Sequence, residues 1–327
     1  MHYANDDNVI LFPKWKSKLE AESLQALKEK RYEAALEKLN KLLSFQIQTH
    51  EIMIAKLICL IELDQYEKSK TLCQSLIENP DENYYHYLHI YLTVLFQTNE
   101  YTSLMDYLEN EIALEEIPVE LREQFNQLYD LSFQMKQDID IEKGLSYEKD
   151  LQKAFEQDNY QAQWRLIDMM RQIKFKPSEQ WIQCLSKEQI HPVIKTAILH
   201  WLQDSQVNEA VAIHKFGRKH DVIPIDIPGI ESHTIMKQTL LIFNELEQNN
   251  PTLHHLIKSL LYQYIYVRYP FFPSTENILP IAKALQHIGE NYMNLHHNEK
   301  NGIEDNVIHY IEEISLCQTL YLSIIED

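Results

Sequence analysis

The sequence predicts an all-α fold, a helical solenoid followed by a C-terminal helical domain with one small β-hairpin. Three observations predict it. Only five glycines occur in 327 residues, too few for many tight β-turns or for a phosphate-cradling glycine loop. Apolar residues recur at helical spacing along most of the chain. A polar turn followed by a tyrosine returns at intervals near 34 residues.

Hydrophobic residues make up 45% of the chain, the composition of a globular protein. Net charge is −19, a field that repels a phosphate backbone, so nucleic acid is not an expected partner. Between Asp106 and Glu123 seven acids face one base, Arg122. That stretch reads as a solvated helix face, with an acidic docking face as the alternative. Cys59, Cys73, Cys184 and Cys317 lack metal-site or redox spacing and read as reduced, buried residues of a cytoplasmic protein. The N-terminal "MHYANDDNVILFPKW" lacks a basic n-region, so no signal peptide is expected. The longest uncharged run, Asn83 to Asn99, falls short of the roughly 20 apolar residues of a membrane span, so no membrane insertion is expected.

The tyrosines set the register. Tyr32 opens a second helix in "EKRYEAALEKL". Tyr66 follows 34 residues later in "ELDQYEKSKTLCQSL", and Tyr101 a further 35 on in "QTNEYTSLMDYLENEI". Tyr160, in "EQDNYQAQWRLIDMM", comes 59 residues after that. Each tyrosine follows an apolar segment: "LEAESLQAL", "IMIAKLICLIEL", "YLHIYLTVLF" and "LQKAF". A helix-turn-helix at this period resembles the tetratricopeptide repeat (TPR). The small residue that the repeat places three positions after its turn aromatic is met by Ala35 and Ser69 but not by Leu104 or Gln163. The large residue seven positions after it is met by Leu39, Cys73, Leu108 and Ile167. Pro80, Pro118 and Pro177 stand near the ends of units, while the usual Trp and Gly of the first helix are missing. One amphipathic helix pair cannot bury both its faces, so successive pairs must stack.

The extra length before Tyr160 holds a further helix, expected at Val119 to Gln137. The resulting organisation is an N-terminal apolar arm (1–15), a TPR-like repeat domain (16–177) and a C-terminal helical domain (178–327) with a hairpin near 210–227. The hairpin strands are expected at Ala210–Phe216 and Val222–Ile227. Its basic residues Lys215, Arg218 and Lys219 are expected in a solvated tip, with a docking loop as the alternative. Further helices are expected at Pro192–Gln203, Ile230–Gln248, Thr252–Arg268, Asn277–His296 and Asp305–Ile325, with Phe271 and Phe272 packing inward. Together, "NVILFPKW", the repeats and "HPVIKT…VAIHKFGRKHDVIPID" resemble a Gram-positive bacterial family of tetratricopeptide-repeat proteins.

No HExxH, GxSxG, Walker or dinucleotide pattern occurs among the residues, and the fifteen histidines show no zinc spacing. No metal, cofactor or catalytic residue is therefore assigned, and a non-enzymatic role is expected. The resemblance implies a concave groove lined by the first helix of each pair. By register its positions are Glu20, Leu24 and Leu27; Ile54, Ile58 and Ile61; His86, His89, Thr93 and Phe96; and Glu148 and Gln152. The basic clamp with which some repeat proteins grip a peptide carboxylate is not reproduced, because Glu20, Ile54 and His89 occupy its positions. The expected ligand is an apolar helix or extended segment of a protein or peptide. The expected function is an adaptor or assembly scaffold. The alternatives are a peptide-responsive regulator acting through a protein partner and, third, an enzyme with a site in the C-terminal domain.

Overall fold

The computed structural model describes residues 13–114, 117–295 and 304–325. Residues 1–12 of the expected N-terminal arm lie outside them. Pro13 instead opens the first helix, where its missing N–H costs nothing, and Trp15 stands 58% exposed on that first turn. The described residues divide into two compact units, 1–139 and 140–327.

The first unit is built from helix pairs: α1 (Pro13–Lys28) with α2 (Tyr32–Ser44), α3 (His50–Glu62) with α4 (Tyr66–Ile77), and α5 (Tyr84–Gln97) with α6 (Tyr101–Leu114). Each first helix packs on its own second helix and on the first helix of the next pair. The apolar run of α3 explains its place. Ile52 and Cys59 enter a core with Ala26, Ala35, Leu39 and Leu42. Met53 and Leu57 enter another with Leu88, Leu92, Leu95, Leu104 and Leu108. One helix thus serves two cores, and stacking rather than propensity holds the array.

The turn inside each pair has one geometry. Lys30, Asp64 and Asn99 adopt positive φ (56°, 55° and 59°) two residues before the tyrosine, and Asp158 repeats it before Tyr160 in the second unit (51°). In the first copy the Lys30 N–H donates to the Leu27 carbonyl (2.9 Å) and the Arg31 N–H to the Ala26 carbonyl (2.8 Å). The same two bonds recur at Asp64/Gln65, Asn99/Glu100 and Asp158/Asn159. This is the Schellman end, which satisfies carbonyls left open by the helix terminus. It is made without glycine.

The register therefore places equivalent residues alike. Ala35, Ser69, Leu104 and Gln163 are all buried, and so are Leu39, Cys73, Leu108 and Ile167. The two residues that depart from the small-residue pattern still occupy the pattern's position. Gln163 fits by donating its amide to the Ala154 carbonyl (3.0 Å), within the turn of its own pair.

The helix expected at Val119–Gln137 is one 38-residue helix, α7 (Val119–Glu156), which also contains "LQKAF". The division between the two units falls inside it. Gly144 lies within it, where a Cβ would come 2.0 Å from the Phe175 ring. Glycine is used for that close approach, not as a breaker.

In the second unit, the end of α7 and α8 (Tyr160–Gln172) supply Leu151, Ile167 and Met170 to a large core. The rest of the unit is α9 (Glu179–Gln183), α10 (Pro192–Asp204), strands β1 (Val211–Lys215) and β2 (Arg218–Val222), α11 (Thr234–Ile242), α12 (Asn244–Asn249), α13 (Pro251–Arg268), α14 (Ile278–Tyr292) and α15 (Asp305–Leu322). Residues Val193 to Leu199 of α10 are buried without a break, the mark of a helix surrounded by protein. The strands pair antiparallel, Val211 opposite Val222 and Lys215 opposite Arg218. The second strand thus starts four residues earlier than expected, because Phe216 takes positive φ beside Gly217 and makes a two-residue turn. Residues 224–226 form a short 3-10 turn instead. The helix expected from Ile230 begins only at Thr234, where the His233 side chain accepts from the Ile235 N–H, and it breaks at Phe243. Phe271 and Phe272 pack against the core, Phe272 stacked on His233 at 3.6 Å.

The four repeat tyrosines are not equivalent. Tyr101 is buried with its ring 5.4 Å from Phe96, whereas Tyr32, Tyr66 and Tyr160 are half-buried. Replacing Tyr101 by alanine is expected to cost about 3–5 kcal/mol, the range for deleting a buried aromatic. The same change at Tyr66, whose hydroxyl donates to Asp64 (2.9 Å), is expected to cost roughly 1–2 kcal/mol. Urea denaturation of both variants checks the order; equal costs would refute it.

Candidate functional site

The exposed stripe of the first unit is set by its turns. Leu27, Ile61 and Phe96 each stand five residues before the repeat tyrosine, and their carbonyls each accept the inner bond of the turn. Leu24, Ile58 and Thr93 lie one helical turn earlier on the same faces. Along α1, α3 and α5, the ten positions from Glu20 to Phe96 are all half-buried or exposed, and none is buried. Leu24 is 54% and Ile58 42% exposed. The other faces of these helices carry the buried side chains, Ala26 on α1, Leu57 and Leu60 on α3, and Leu88, Leu92 and Leu95 on α5.

Polar contacts hold the histidine end of the stripe. His50 at the start of α3 lies within hydrogen-bonding distance of the Tyr87 hydroxyl (3.1 Å), and its ring sits 5.4 Å from that of His86. The His89 ring is 5.9 Å from Phe125 of α7. Burial pushes His89 below the usual imidazole range, and the nearby His86 adds to this, so His89 is neutral near pH 7. The Thr93 hydroxyl donates to the His89 carbonyl (2.8 Å).

Glu148 and Gln152 belong to the other compact unit. Glu148 accepts from the Ser178 hydroxyl (2.7 Å) and the Trp181 indole N–H (3.0 Å), which ties α7 to the start of α9. Gln152 is exposed. A cleft of about 510 Å³ lies elsewhere in the first unit, lined by Leu36 of α2, Lys56 and Leu60 of α3 and Leu72 of α4. None of the stripe residues lines it. Burial lowers the Lys56 ammonium from its ordinary range.

Lys215, expected in the hairpin tip, is 3% exposed. Only Arg218 and Lys219 of the basic trio reach solvent. Strand alternation predicts one face for Ile213 and Lys215, and the core accepts Lys215 because it meets oxygen. Its amine donates to the Thr196 hydroxyl (2.6 Å) and the Tyr269 carbonyl (2.6 Å). Thr196 passes a hydrogen bond on to the Tyr266 carbonyl (2.7 Å). Burial drives Lys215 well below the ordinary lysine range, and two donors suit a neutral amine. Lys195 is also buried, donates to the His214 carbonyl and is pushed down to about 8. These lysines pin β1 to α10 and to the segment after α13. The alternating strand was the available signal for Lys215, but its oxygen partners come from distant segments.

Among the described residues no group of three or more His, Cys, Asp or Glu side chains is placed to hold a metal ion. No described helix is long and apolar enough to cross a membrane.

The chain is 27% identical over 293 residues to the TPR repeat-containing protein YsoA of Bacillus subtilis (strain 168), covering 88% of this chain and 87% of that protein. The chain is a relative of a Gram-positive tetratricopeptide-repeat protein. No family model matches it. Among solved structures, the P58(IPK) TPR domain aligns over 95% of this chain and 67% of its own, with 12% identity and a TM-score of 0.31. The tetratricopeptide assignment rests on the relative and on the helix pairs with their repeated turn.

The tetratricopeptide-repeat chain should respond to acid through His200. Burial, reinforced by the charge of Arg171, pushes this imidazole down to about 3. An unfolded chain takes up that proton near 6.5. Above pH 6.5 neither state binds it and His200 contributes no pH dependence. Between 6.5 and about 3 the unfolded state binds more protons, so stability falls with pH at up to roughly 1.4 kcal/mol per unit. Relative to His200→Phe, the wild type should lose roughly 2 kcal/mol between pH 6.5 and 4.5 in denaturant titrations. Parallel curves for the two proteins would exclude His200 as a source.

Proposed function

We propose that the first compact unit is a non-catalytic protein-interaction module that takes an amphipathic helix or extended segment of a partner along α1, α3 and α5. The protein then acts as an adaptor or assembly scaffold. The observation that carries this reading is the exposure of the stripe. Leu24, Ile54, Ile58, Ile61 and Phe96 are large and apolar, yet none is buried although each helix buries its other faces. Leu24 and Ile58 are exposed outright, and exposed apolar residues grouped on one surface mark an association site. The three rows stand at one offset from one repeated turn, which supports their acting as one surface. Helix-in-groove recognition needs anchors at such intervals.

Charge supports a protein rather than a polyanion. With a net charge of −19, the chain favours a partner segment that is apolar on one face and basic on its edges. A cytoplasmic setting fits the cysteines, all four of which are buried and free. Burial pushes Cys59 up to about 11 and Cys73 and Cys317 up to about 12, leaving little thiolate for disulfide exchange.

Leu24→Glu and Ile58→Glu should each weaken capture of the native partner by roughly tenfold or more, about 1.4 kcal/mol, with an unchanged far-ultraviolet circular dichroism spectrum. Lys68→Glu, beside the separate cleft, should leave capture unchanged. Full capture by both stripe variants would end this reading. Loss of helical signal would reassign the residue to the core.

A further inference from the structure

We propose that the second compact unit carries a pocket for an organic cation, an alkylammonium or guanidinium group, walled by Trp164 and Tyr262, floored by Tyr266 and Tyr321, and rimmed by Asp168 and Glu231. The cavity measures about 520 Å³ and lies among α8, α10, α13, the end of α15 and the loop at residues 229–232. Its size falls within the range of about 300–1,000 Å³ usual for small-ligand sites.

The walls are aromatic and fixed. Tyr266 and Tyr321 are buried, with rings 5.4 Å apart and nearly perpendicular at 88°. Tyr262 meets Tyr321 at 6.4 Å and 86° and lies 6.0 Å from Tyr266. The Trp164 indole N–H donates to the Tyr266 hydroxyl (3.1 Å), which ties the indole of α8 to α13. Trp164 and Tyr262 are half-buried, so these two rings keep surface open to a ligand. Aromatic faces carry negative potential and attract cations most strongly where water is excluded.

The charges at the rim agree. Two carboxylates and one guanidinium line the cavity. Arg171 is engaged by Asp168 (3.5 Å) and by Asp204 (2.7 Å), and the two carboxylates of the lining outnumber it. Among the described residues Glu231 has no ion-pair partner, and its loop position is exposed. His200, which also lines the cavity, is neutral near pH 7 and does not oppose an incoming cation. An anion would meet Glu231 with Arg171 already occupied. An apolar ligand would strip water from carboxylates and hydroxyls without replacing it. A cation flanked by methylene groups satisfies both the rings and the rim.

Such a cation arrives either as a lysine or arginine side chain of a protein segment or as a free alkylamine. Proton–nitrogen spectra of the full-length, nitrogen-15-labelled chain distinguish the sources through the Trp164 indole N–H, assigned with Trp164→Phe. The probes are a terminally blocked Gly-Lys-Gly peptide, the same peptide acetylated on the lysine amine, and 1,5-diaminopentane. A saturable shift of this resonance with the lysine peptide or the diamine, absent with the acetylated peptide, is the expected result. Response to the peptide alone assigns a side-chain ligand, and response to the diamine a free amine. Glu231→Gln, on an exposed loop, should raise the half-saturation concentration at least threefold, and Tyr262→Leu at least tenfold. An equal shift with the acetylated peptide, or no saturable shift with either cation at millimolar concentration, would overturn the proposal. Neither result bears on the stripe of the first unit, which lies in the other compact unit.

Discussion

A left-handed residue at the end of a helix, two positions before a tyrosine, is the constraint on which the array depends. Lys30, Asp64, Asn99 and Asp158 hold that conformation although none is glycine. An L-residue there costs roughly 1–2 kcal/mol, offset by the two backbone bonds that close the helix end. Because the turn has one shape, the residues three and seven places beyond the tyrosine always face inward. That fixed direction lets Leu104 and Gln163 stand where a smaller residue is usual. Gln163 does so by bonding the turn's own Ala154 carbonyl, so the departure from pattern supports the geometry.

Stacking then decides what each face of a helix does. The α3 helix divides Ile52 and Cys59 from Met53 and Leu57 between two cores, and what remains is the stripe of Ile54, Ile58 and Ile61. A helix with apolar residues on every side reads as buried, yet here one side is left for solvent. This residual surface, repeated on neighbouring helices, is the one we propose for partner binding. Its polar contacts include the Lys16–Glu20 ion pair (3.8 Å) and the Thr93 hydroxyl bond to the His89 carbonyl.

The second unit uses a different physics. Its core admits two lysines, each satisfied by backbone or hydroxyl oxygen, and it keeps His200 neutral against the rings of Tyr266 and Tyr269. Buried polar groups of this kind demand defined geometry, because an unpaired one is expensive. They fix the hairpin's inner strand to α10 and to the chain after α13.

By itself the sequence determined the helical class, the tyrosine-marked turns and the positions that face the repeat cores, because helical spacing and turn chemistry are local. The groove positions from Glu20 to Phe96 were expected from the tyrosine register, and none of the ten is buried. The sequence did not reveal that α7 would run unbroken through Gly144, nor that the Phe175 ring, thirty-one residues away, would fill the space of the missing Cβ. Nor did it place Lys215 inside, since the Thr196 hydroxyl and Tyr269 carbonyl that make burial tolerable lie far from it in the chain. Glu148 matched the groove by register, but tertiary packing gave its carboxylate to Ser178 and Trp181. The aromatic pocket was equally hidden, for its rings come from α8, α13 and α15, and only folding brings those helices together. Local rules fix direction along one helix; which distant atoms meet a side chain is a property of the packed whole.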